Sequence, residues 1–111
     1  MITIEALKTC GVDVADGLNR CMNNEGFYLR LVNLALADGN FDKLSEAVGA
    51  GDRKAAFEAA HALKGVLGNL SLTPLYRCAS EITELLREGS EADYAALVGR
   101  LTEERGRLQA L

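Results

Sequence analysis

Residues 57–70 read Phe-Glu-Ala-Ala-His-Ala-Leu-Lys-Gly-Val-Leu-Gly-Asn-Leu and contain the only histidine of the chain, His61. With His61 set at zero and about 100° per residue, Ala56, Ala60, Leu63, Leu67 and Leu70 fall between roughly 180° and 260° on a helical wheel. Lys64 lies near ~300°, Gly65 near ~40° and Gly68 near ~340° on the same wheel. The stretch therefore reads as one amphipathic helix. Its apolar stripe faces a core, and the opposite arc presents His61, Lys64, Gly65 and Gly68 together.

The flanking sequence repeats the pattern. Asp52 is a good N-cap, so the histidine helix is expected over about 52–70. Before it, Phe41, Leu44, Ala47 and Val48 stripe a helix over about 41–49, ended by Gly49–Gly51. Asn23 and Asn24 open another over about 24–37, with Phe27, Tyr28, Leu31, Val32 and Ala35 on its apolar side and Asp38-Gly39-Asn40 as the following turn. Short helices occupy about 3–22, broken at Gly11 and restarted by Asp13.

Downstream, Thr73 as a cap and Pro74 as the first helical residue open a helix over about 74–88. Leu75, Cys78, Ala79, Ile82, Leu85 and Leu86 form its stripe, and Gly89 closes it. Ser90 with Asp93 reads as a capping box for a last helix over about 91–109, striped by Tyr94, Leu97, Val98, Leu101 and Leu108. No strand pattern is present. Short connections force consecutive helices to fold back, which predicts an all-α, antiparallel up-and-down four-helix bundle with additional short N-terminal helices, in one domain over 1–111.

Composition narrows the function. A net charge of −4 with no Lys/Arg-rich run argues against a nucleic-acid backbone or an anionic membrane as partner. No apolar run approaches the roughly 20 residues that span a bilayer, and residues 1–10 lack the pattern of a secretion signal. Cys10, Cys21 and Cys78 share no CxxC spacing, so neither a disulfide framework nor a zinc site is indicated, and reduced cytoplasmic thiols fit.

The chemistry concentrates on the His61 arc. Each glycine in a helix interior costs about 1 kcal/mol relative to alanine, so Gly65 and Gly68 need a reason. Without side chains at four and seven residues after His61, a partner surface has room above the imidazole. Imidazole is a nucleophile in its neutral form, and free imidazole side chains titrate near ~6.5. Lys64, one turn on, disfavours a second positive charge and attracts phosphoryl oxygens.

No second histidine completes a metal site, no Ser-His-Asp ordering is legible, and no phosphate-binding glycine loop appears. Glu58, Glu81 and Glu84 read as solvated helix faces. A lone nucleophile without catalytic company fits a protein modified by its partner, which supplies the magnesium and the transition-state stabilisation. An enzyme using His61 as general base is the contrasting class and requires a concave pocket with a second polar group.

At Ala60-His61-Ala62-Leu63-Lys64-Gly65, with Gly68 and then Leu75 and Ile82 on the next helix, the chain resembles the histidine-containing phosphotransfer (HPt) domain of bacterial multistep phosphorelays and two-component systems. The resemblance runs from about Gly11 to Leu86 and includes Phe27-Tyr28-Leu29. It implies a helical bundle whose histidine accepts a phosphoryl group from a receiver-domain aspartate and passes it to another receiver. On this chain His61 is the implied phosphorylation site, Lys64 the phosphoryl contact, and Gly65 and Gly68 the access for the partner. Lys54 and Phe57, on neighbouring parts of the wheel, are added as docking-surface candidates.

Ser71 stands where many members of that family have glycine in the turn after the histidine helix. The resemblance implies a cytoplasmic, monomeric phosphocarrier and not an enzyme in its own right. It binds no metal or cofactor itself, with Mg2+ expected in the partner receiver. Its expected partners are response-regulator receiver domains and a hybrid histidine kinase, with no nucleic acid and no membrane insertion. The alternative is a helical interaction module that binds a receiver or kinase without becoming phosphorylated.

Overall fold

Most helices begin where a short polar side chain accepts the first free amide. The computed structural model describes residues 1–111, and in it Thr3, Asp13, Asn24, Asp52 and Asp93 each accept a backbone N–H from the first helical turn. The helices are α1 (Ile4–Thr9), α2 (Val14–Arg20), α3 (Glu25–Leu36), α4 (Asn40–Gly49), α5 (Arg53–Asn69), α6 (Thr73–Glu88) and α7 (Tyr94–Gln109). Gly51 and Gly89 take the left-handed conformation after α4 and α6, where a side chain would be strained.

Two caps differ from expectation. Leu72, not Thr73, precedes α6, and Thr73 lies inside the helix, donating its hydroxyl to the Ser71 carbonyl at 3.1 Å. The Tyr76 amide that a Thr73 cap would have received is bonded instead to the Leu72 carbonyl at 2.8 Å. The last helix starts at Tyr94, later than about 91, because Asp93 accepts from Ala96 N at 3.0 Å while the Ser90 hydroxyl goes to Glu88.

The fold is all-α. Helix α4 packs on α5, α5 on α6, α6 on α7, and α7 back on α4, closing a four-helix ring. Contacts at the two ends give the directions. At one end Arg105 and Gln109, late in α7, donate to the Leu36 carbonyl that ends α3, at 2.7 and 3.2 Å. At the other, Arg53 at the start of α5 pairs with Glu91 just before α7 at 3.1 Å. Helices α5 and α7 therefore run one way and α4 and α6 the other.

The ring encloses Leu44, Leu63, Leu67, Leu75, Ile82 and Leu101, all buried. The buried Thr83 hydroxyl donates to the Ala79 carbonyl within α6 at 2.7 Å. Helices of this length span about 25 Å, yet the long axis of the molecule is 40 Å. The difference is α1–α3, which extend the bundle at the end where α5 turns into α6.

That junction is tightly built. Buried Tyr28 of α3 donates its hydroxyl to the Leu70 carbonyl at 2.9 Å, satisfying a group at the end of α5. Burial pushes the Tyr28 phenol up to about 12. A Cβ at Gly17 of α2 would stand 2.5 Å from the Tyr28 ring, so this approach of α2 to α3 requires glycine. Phe27, expected on the apolar side of α3, is instead 41% exposed, because its neighbour Tyr28 takes the core position and the helix turns Phe27 outward under Arg30.

Candidate functional site

Because Ala56, Ala60, Leu63 and Leu67 anchor α5 in the core, its other face is fixed toward solvent, and His61 is exposed there. No side chain hydrogen-bonds to the imidazole. Its ring stacks on Phe57, one turn earlier, with centroids 5.6 Å apart and planes within 10°. Arg87 of α6 covers the Phe57 ring, its guanidinium carbon 5.3 Å from the centroid. Phe57 is thus a floor for the imidazole, held from α6 through a cation–π contact. Lys54 is exposed one turn further back on α5.

Lys64 does not extend freely. Its ammonium donates to Glu84 of α6 at 3.2 Å, and the other Glu84 oxygen pairs with Arg87 at 3.2 Å. Glu84, expected as part of a solvated face, is instead the hinge of an ion triplet beside His61. The Lys64 hydrogen bond, followed by the charge of Arg87, holds its carboxyl below the usual carboxylate range.

The two glycines have different surroundings. A Cβ at Gly65 would meet nothing within 4 Å, so that position opens on solvent. A Cβ at Gly68 would stand 3.0 Å from the Tyr76 ring of α6. The bare backbone at Gly68 is filled by a side chain of the same protein, so any access it gives a partner is over Tyr76.

His61 stands at the edge of an open depression of about 670 Å3, shared with Lys64, Gly65, Gly68, Asn69 and Tyr76. Arg20 and Asp13, from α2 and its cap, line it as well. They are held there by the turn after α5. The Ser71 hydroxyl donates to Asp16, Asp13 N donates to the Ser71 carbonyl at 3.2 Å, and Arg20 Nε pairs with Asp16 at 2.9 Å. The Ser71 bond, then Arg20, keeps the Asp16 carboxyl below the usual range. Ser71 itself has φ +55°, the left-handed conformation that glycine adopts without strain.

Residues 32–111, from the second half of α3 to the end of the chain, match the family model described as the Hpt domain. The chain belongs to the Hpt domain family. Searches of curated proteins and of solved structures give no match. The Hpt match starts later than the resemblance at Gly11 and ends later than Leu86, because it takes in α7, which closes the ring, and leaves out α1 and α2. Hpt domains are histidine phosphotransfer modules that work with receiver domains and kinases in phosphorelays.

Within this Hpt domain no group of three or more His, Cys, Asp or Glu side chains is placed to hold a metal ion, and no helix is long and apolar enough to cross a membrane. The site residues expected from the sequence, His61, Lys64, Gly65, Gly68, Phe57 and Lys54, lie on one side of α5. Glu84, Arg87, Tyr76 and Arg20, which stand beside them, were not expected there from the sequence. The i, i+3 pair Glu84–Arg87 was visible as such, but the register of α6 against α5 was not.

Proposed function

We propose that this Hpt domain is a phosphocarrier: a ring nitrogen of neutral His61, Nε2, attacks the phosphorus of a receiver aspartyl phosphate. The N–P bond forms as the P–O bond to the aspartate breaks, and the bonding pair leaves with the aspartate as a carboxylate. Transfer to a second receiver is the same exchange in reverse. The observation that carries this reading is an exposed imidazole stacked on Phe57 with only open space above Gly65.

Lys64 answers the charge that arrives on His61, and Lys54 and Phe57 belong to the docking surface. Magnesium is supplied by the receiver, where an aspartyl phosphate and its carboxylate neighbours bind it. The chain acts in this way as a cytoplasmic monomer. A general base is commonly oriented by a hydrogen bond to its second nitrogen; His61 has a ring stack in that place, which favours carriage over catalysis.

Incubation with a receiver domain loaded from acetyl phosphate in Mg2+ should place an acid-labile, base-stable phosphate on the chain, absent from His61→Gln. Label persisting on that variant overturns the proposal. Binding of the receiver without any labelling would select a non-phosphorylated interaction module instead.

A further inference from the structure

We propose that Arg20 of α2 is a docking residue of the His61 face, which engages a carboxylate at the edge of the receiver's phosphorylation site. The inference rests on the phosphocarrier reading and adds a specificity determinant to it. Arg20 lines the same open depression as His61 and Lys64. Its position is set by the fold. Gly17 lets α2 close on the Tyr28 ring, Asp13 N bonds the Ser71 carbonyl, and the Ser71 hydroxyl bonds Asp16, the partner of Arg20. The lip that carries Arg20 is therefore fastened to the turn that ends the histidine helix.

The guanidinium uses only Nε in its pair with Asp16, leaving its two terminal nitrogens without a protein partner, and the side chain is 53% exposed. A fork of that kind is suited to a carboxylate. The receiver must present carboxylates, since a site that holds Mg2+ beside an aspartyl phosphate does so with oxygen ligands. The net charge of this chain is −4, so approach to the carboxylates of a receiver site is favoured where cations stand at the contact. Arg20 is such a cation, and it lies outside residues 32–111, which the Hpt family model matches. The α2 lip thus adds a charged contact to the His61 face from outside the residues that the family model matches.

The test measures initial rates of His61 labelling against concentration of a receiver domain loaded from acetyl phosphate in Mg2+, at low ionic strength. Arg20→Gln should raise KM about threefold and Arg20→Glu about tenfold, with kcat nearly unchanged, and Arg20→Lys, which keeps the charge but not the fork, should fall between the parent and Arg20→Gln. In 0.5 M salt, which screens exposed charges within about 5 Å, the differences should shrink. Melting temperatures of all variants should agree closely. An unchanged KM for Arg20→Glu in a wild-type protein that labels normally, or a loss confined to kcat and indifferent to salt, overturns the docking role. Failure of the wild-type chain to accept label from any receiver overturns the carrier reading, and this proposal with it.

Discussion

The Lys64 ammonium and the Glu84 carboxylate are joined at 3.2 Å, across α5 and α6, beside the exposed His61. Before any phosphoryl group arrives, the lysine already has an anionic partner. A phosphoryl group on His61 would compete with Glu84 for it.

One outcome of that pairing is a carboxyl that titrates low. Since its folded pKa is depressed, the contribution of Glu84 is present above the unfolded value and is lost as pH falls through the folded one. Carboxyl-carbon NMR should place the Glu84 midpoint below the usual carboxylate range, and Lys64→Met should raise it. An unmoved midpoint would mean that Lys64 is not its principal partner.

The glycines of α5 should separate stability from access. Gly65→Ala places a Cβ in open space and gains helix propensity of about 1 kcal/mol, a rise in Tm of about 4 °C. Its labelling by a receiver should nevertheless be slower, because the Cβ enters the space over His61. Gly68→Ala must displace the Tyr76 ring and should gain less stability, and adding Tyr76→Ala should remove that penalty.

Ser71 takes a left-handed conformation and its hydroxyl bonds Asp16. Replacement by alanine loses the bond and keeps the strain, whereas glycine loses the bond and relieves it. Ser71→Gly should therefore be more stable than Ser71→Ala by about 1–2 kcal/mol in denaturant unfolding. In both variants Asp16 should titrate higher, since the Ser71 hydroxyl is the largest influence holding it low.

Tyr28 ties α3 to the end of the histidine helix through the Leu70 carbonyl. Tyr28→Phe should cost about 1–3 kcal/mol by leaving that acceptor unpaired. The phenol is raised by burial, so its stabilising contribution is complete below its ordinary pKa and disappears as pH rises through the folded value of about 12. The phenolate absorbance of Tyr28, isolated by difference from Tyr28→Phe, should appear only as that pH is approached or as the protein unfolds.

Helix positions were legible in the sequence because periodicity and caps are local. Asp52 caps α5, Asn24 caps α3 and Gly89 ends α6 as their residue types require. Thr73 and Ser90 misled for a related reason: a hydroxyl has several local partners, and geometry chooses among them. Phe27 misled because a stripe wide enough for both Phe27 and Tyr28 admits only one of them to the core.

The sequence by itself determined an all-helical chain with His61, Lys64 and Gly65 on the solvent side of one helix, since 3.6 residues per turn place them opposite Ala56, Leu63 and Leu67. Only the tertiary structure decided what else meets them. Packing α6 against α5 brought Glu84 to Lys64, Arg87 to Phe57 and Tyr76 to Gly68. Fastening α2 to the Ser71 turn brought Arg20 to the depression that His61 lines. These partners are separated by long stretches of chain, and the register between packed helices depends on side-chain interlocking that no periodicity in one helix encodes.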